Sequence, residues 1–120
     1  MKGASNRKTP LLSVVFLEEM AAVLRILAHG YRLRIVEQVD LHGPMPVHRL
    51  LAALGGAQGA LSQHVTKLRL AGVLRADRRG KEVWCSLANP DALTLLNCLR
   101  KRAAIEGNRR TTGATRKRKS

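Results

Sequence analysis

The sequence predicts a mainly α-helical domain with a small β-hairpin, an α+β arrangement of about five helices and two strands. Three observations lead there. The 120 residues are enough for one core and too few for two ordinary ones. Hydrophobic residues make up 45% of the chain but aromatics only 2%, so Leu, Val, Ile and Ala must build the core, which suits helices better than a sandwich. The apolar period runs at three to four residues along most of the chain and changes to two only after Gly72.

Thr9-Pro10 fits an N-cap with proline in the first turn, and Ser13 offers a second start for the same helix. Leu17, Met20, Ala21, Leu24, Leu27 and Ala28 then recur at steps of three and four, to an end near His29 and Gly30. Leu33, Val36, Ile35 and Val39 predict a shorter second helix, stopped by His42-Gly43-Pro44. Val47, Leu50, Leu51 and Leu54 predict a third, ended by Gly55-Gly56. A fourth runs from about Ala57 to Ala71, with Leu61, Val65 and Leu68 on one face. Beyond Gly72, Leu74 and Ala76 alternate with charged residues, Arg79-Gly80-Lys81 makes a turn, and Val83, Cys85 and Leu87 share one strand face. Asn89 before Pro90 starts a last helix with a stripe of Ala92, Leu96, Leu99 and Ala103.

Charge divides the chain further. The net charge is +14, which calls for a polyanionic partner. Residues 1–10 hold three cations and no acid, and residues 107–120 hold six and none, so both read as flexible basic arms around a domain at 11–106. Within that domain, residues 11–56 are balanced, whereas 57–87 carry six basic residues against two acids. No apolar run of about 18 residues and no leader pattern occurs, so the expectation is a soluble cytoplasmic protein associated with the nucleoid, with no membrane partner.

Helix, Gly-Gly turn, helix and basic hairpin is the order of a winged helix-turn-helix, whose second helix enters the major groove of duplex DNA. At about 100° per residue, Leu61, Val65 and Leu68 point one way, while Gly59, Ser62, Gln63 and Thr66 point the other. Short polar side chains on that face let a helix approach base edges. Gln58, Ser62, Gln63 and Thr66 are therefore the candidate base contacts. His64, Lys67, Arg69, Arg78, Arg79 and Lys81 are the candidate phosphate contacts, of which His64, at the edge of the apolar stripe, suits packing as well.

The chain resembles the ArsR/SmtB-type regulators. The resemblance is carried by 29–35 (HGYRLRI), with Gly30 where that family has proline, by 61–74 (LSQHVTKLRLAGVL) and by 79–87 (RGKEVWCSL), and covers about Leu17 to Arg102. It implies a homodimer formed through the first and last helices, with two recognition helices spaced for a pseudo-palindromic operator. The apolar stripes of those helices agree with a dimer and would also serve a monomer core.

The resemblance also raises metal sensing, which these residues do not supply. The third-helix cysteine positions of the family correspond to Pro46 and His48, and the last helix has no His, only Asp91 and Glu106. His29, His42, His48 and His64 form no i,i+4 pair and no Cys/His cluster. No metal and no cofactor is expected. Cys85 and Cys98 are the candidates for a thiol switch, Cys98 having Arg100, Lys101 and Arg102 nearby to favour the thiolate, against the plainer reading of two inert thiols.

A sequence-specific repressor is thus the expected function. The alternative is an architectural, nucleoid-type protein that coats DNA through its arms. Single-stranded RNA recognition is disfavoured by the presence of only Phe16, Tyr31 and Trp84 as aromatics. No nucleophile with a base, paired carboxylates or phosphate-cradling loop points to an enzyme.

Overall fold

The computed structural model describes the backbone of residues 9–113 and the side chains of residues 9–107. Its elements run α1 (Val14–Leu27), α2 (Gly30–His42), β1 (Met45–Pro46), α3 (Val47–Leu54), α4 (Gln58–Leu70), β2 (Leu74–Arg79), β3 (Glu82–Leu87) and α5 (Pro90–Gly113).

Ser13, rather than Thr9, starts α1: its hydroxyl accepts from the Phe16 backbone N–H at 3.1 Å. Helix α2 begins at Gly30, three residues before the first apolar position, because the His29 ring caps it by accepting from the Tyr31 N–H through Nδ1 at 3.3 Å. The end of α4 closes on Gly72, whose φ of 81° suits a residue without Cβ. The Val73 N–H returns to the Leu68 carbonyl at 2.9 Å and the Gly72 N–H to that of Arg69 at 3.0 Å, which turns the chain directly into the hairpin. At α5, Asn89 Oδ1 accepts from the Asp91 N–H at 2.8 Å.

The expected hairpin forms, with Arg79 opposite Glu82 and Leu74 opposite Leu87, and Gly80 at its tip has φ 65°. A third strand was not expected. Met45 and Pro46 pair antiparallel with Cys85 and Trp84, so the sheet order is β1-β3-β2. Two residues carry no readable period, and a proline lacks the N–H of a central strand; it is tolerated here because β1 is an edge.

Ile35, Val36 and Val39 of α2, Leu50 of α3, Leu61 and Leu68 of α4, and Leu74 and Cys85 of the sheet pack into one core, each at most 2% exposed. Of α1 only Leu27 is buried. Helix α5 contributes Ala92 and Leu96, and Arg100 bonds Asp40 of α2 at 2.9 Å. The boundary expected at residue 106 is corrected: α5 continues to Gly113. Arg102 and Glu106, one turn apart, pair at 2.8 Å across that point, and a lone Gly107 costs a helix only about 1 kcal/mol. Residues 1–8 and 114–120, the greater part of the two expected arms, lie outside the described residues.

Candidate nucleic-acid interface

Helix α4 is seated by Leu61 and Leu68, both fully buried, and Val65, 6% exposed. Removing one such leucine side chain from water stabilises the seat by roughly 2–3 kcal/mol. The opposite face is open: Gly59, Ser62, Gln63, Thr66 and Leu70 are all exposed. The periodicity and the packing therefore agree on which face looks outward.

Between α4 and the wing lies a cleft of about 440 Å³. Gln58, Ser62, Thr66 and Arg69 line it from α4, Val47, His48 and Leu51 from α3, and Ala76, Lys81, Glu82 and Val83 from the wing. Four of the ten candidate contacts, with Lys81 as a fifth, thus share one concave surface. Gln63 is on the crest of α4 beside the cleft, and Lys67 lies beyond it on the far flank; both are exposed. Arg78 and Arg79 stand exposed near the hairpin tip, with the Arg79 guanidinium 4.4 Å from the centroid of the Trp84 ring. That stacking narrows the positions open to a long flexible cation.

His64 does not join this surface. Its Nδ1 accepts from Arg32 Nε at 3.1 Å, and its ring meets His29 edge-on at 4.6 Å and Tyr31 at 5.1 Å. The ring is turned toward α2, in the packing role that its place at the edge of the apolar stripe allowed. Burial, then the nearby His29, Arg32 and Lys67, holds its pKa below the ordinary imidazole value, in keeping with a neutral acceptor.

Sequence reasoning missed three participants. His48 Nε2 lies 2.7 Å from Glu82 Oε2, and Trp84 Nε1 donates to Glu82 Oε1 at 3.1 Å. These hydrogen bonds, the one from His48 first, hold the Glu82 carboxyl below its usual range. The Glu82–Trp84 spacing of two residues was a readable signal for a shared strand face, whereas His48 is 34 positions away from Glu82 and carried none.

The two thiols occupy opposite environments. Cys85 is fully buried on the central strand, and burial raises its pKa, which disfavours the thiolate a switch requires. Cys98 is exposed on α5. Among the described residues, no group of three or more His, Cys, Asp and Glu side chains is arranged to hold a metal ion, and no helix is long and apolar enough to cross a membrane.

A buried-backed helix with a short polar crest, preceded by a helix and turn and flanked by a cationic hairpin, defines a winged helix-turn-helix DNA-binding protein. Comparison with known proteins agrees. The chain is 34% identical over 83 residues to the transcriptional repressor PagR of Bacillus anthracis, covering 69% of this chain and 83% of PagR. The crystal structure of PagR superposes with a TM-score of 0.67 at 32% identity, over 72% of this chain and 99% of that one. It is also 34% identical over 92 residues to the regulator NmtR of Mycobacterium tuberculosis, 77% of this chain and 76% of NmtR. A homodimeric winged helix-turn-helix DNA-binding domain from Mycobacterium bovis has the same fold, with a TM-score of 0.65 at 24% identity over 80% of this chain and 91% of that one. No protein-family model matches the chain. The chain belongs to the ArsR/SmtB family of winged helix-turn-helix transcriptional regulators.

Proposed function

We propose that the protein is a repressor that binds a pseudo-palindromic duplex operator as a homodimer, with no catalytic activity of its own, and that it acts in the cytoplasm on the nucleoid. The observation that carries this reading is the outward face of α4, where Ser62, Gln63 and Thr66 are exposed while Leu61 and Leu68 are buried on the other side. In this reading Gln58, Ser62, Gln63 and Thr66 meet base edges, and Lys67, Arg69, Arg78, Arg79 and Lys81 meet phosphates. The basic segments at both ends add attraction that does not depend on sequence.

A second copy supplies the other half-site. Leu17 and Leu24 of α1 and Leu99 and Ile105 of α5 remain 47–52% exposed, apolar surface that a second copy would cover. A dimer that covers α1 and α5 leaves α4 and the wing free on each subunit. No cofactor or metal has a role in this reading.

Selection of bound sequences from a random duplex pool tests it. Enrichment of a palindromic site with half-sites about one helical turn apart supports both specificity and dimer symmetry. Uniform retention of all sequences would instead mean a DNA-coating protein.

A further inference from the structure

The cleft between α4 and the wing has cations for a polyanion, yet one carboxylate stands among them. Glu82 lines it together with Arg69 and Lys81 and is its one acidic residue. A free carboxylate there would repel a DNA backbone at a range where screening is incomplete. Glu82 is not free: its Oε2 lies 2.7 Å from His48 Nε2, and its Oε1 accepts from the Trp84 indole.

The hydrogen bond to His48 forms with either state of the imidazole, because Nε2 carries a proton in the cation and in one neutral tautomer. The charge of the pair differs. With neutral imidazole the pair presents one negative charge to an approaching phosphate; with imidazolium it presents none. Two exposed side chains, 62% exposed at His48 and 45% at Glu82, leave that proton in exchange with solvent.

We propose that His48 is an affinity-determining residue of the DNA interface, which takes up a proton when DNA binds and so neutralises Glu82. The proposal rests on the reading of the cleft as the DNA-facing surface. The charged groups that face the pair are Arg49 beside it on α3, Lys81 at the hairpin turn, Arg69 on α4 and Arg79 of β2, which stands opposite Glu82 and stacks on Trp84. Phosphates that pair with these cations bring negative charge beside the imidazole, which favours its protonated form, so protonation and DNA binding support each other. By linkage, affinity for duplex must then rise as pH falls through the imidazole range, by up to tenfold per pH unit for one fully coupled proton.

The test measures the affinity of one selected duplex at constant ionic strength, at about pH 6 and about pH 8, for four full-length proteins. These are wild type, His48→Gln, Glu82→Gln and the double variant, each checked for native circular dichroism. Wild type gains roughly fivefold in affinity toward the lower pH, within the linkage ceiling. Glu82→Gln binds at both values about as tightly as wild type does at the lower one. His48→Gln stays weak at both values, and adding Glu82→Gln restores it. Three results overturn the proposal: a pH response that persists in His48→Gln, a loss in Glu82→Gln equal to that in His48→Gln, or a double variant no better than His48→Gln. Equal affinity of all four proteins at both pH values also rejects the role of His48 while leaving DNA binding intact. Failure of wild type to bind any duplex rejects the parent reading and this one with it.

Discussion

Arg32 Nε donates to His64 Nδ1 across 3.1 Å and so joins α2 to the middle of α4. The same guanidinium donates to the Ile26 carbonyl at 2.9 Å, tying in the end of α1. This bond needs a neutral imidazole. Burial, with His29, Arg32 and Lys67, keeps His64 below its ordinary pKa, so over the interval just below that value the unfolded chain binds a proton that the folded chain does not. Stability therefore rises with pH through the interval and is level above it. Urea midpoints measured across that range follow this course in the wild type, and His64→Gln, which keeps an acceptor for Arg32, flattens it.

Gln63 and Arg79 separate reading from holding. Gln63→Ala is expected to lose discrimination at one base position by about 1–3 kcal/mol, seen as a relaxed consensus in duplex selection. Arg79→Ala is expected to weaken binding to all duplexes alike and to lower the salt slope by about one. Because Arg79 lies on the Trp84 ring, Trp84→Leu is expected to reproduce part of the Arg79 loss without changing the consensus.

Leu24 of α1 is 49% exposed and Leu99 of α5 47%. Leu24→Glu is expected to give a monomer in sedimentation, with the circular dichroism of the wild type and operator affinity reduced by at least tenfold, since each half-site then binds alone.

Leu68 and Leu70 are two positions apart on α4, one fully buried and the other 73% exposed. Leu68→Ala is expected to cost about 2–5 kcal/mol in chemical denaturation, while Leu70→Ala stays within about 0.5 kcal/mol of wild type.

Cys85 is buried and its thiol is pushed up by burial. In a Cys98→Ser protein, a disulfide reagent is expected to modify Cys85 only after denaturation. Rapid modification of the native protein would reopen a role for Cys85 in redox control.

Much of this molecule was legible before any coordinates. Leu61, Val65 and Leu68 define the buried side of α4 by spacing alone, because a helix repeats every 3.6 residues, and the opposite face followed without tertiary information. The hairpin was equally plain, since Gly80 stands at the centre of a cationic turn between two runs of period two. The arrest of α4 at Gly72 followed from the φ that glycine alone tolerates easily.

The remainder depended on contacts between residues far apart in sequence. Met45 and Pro46 form a strand only because β3 offers them an edge. His64 and His48 look alike as isolated histidines, yet one packs against Arg32 of α2 and the other pairs with Glu82 of the wing. The residues around each histidine do not encode that difference, because a side chain's partner is set by which elements meet across the core. The sequence by itself thus determined the helices, the hairpin and the outward face of α4, all products of local period and local backbone preference. Only the tertiary structure decided which polar groups share the cleft, because the packing of α3, α4 and the wing brings them within hydrogen-bond reach.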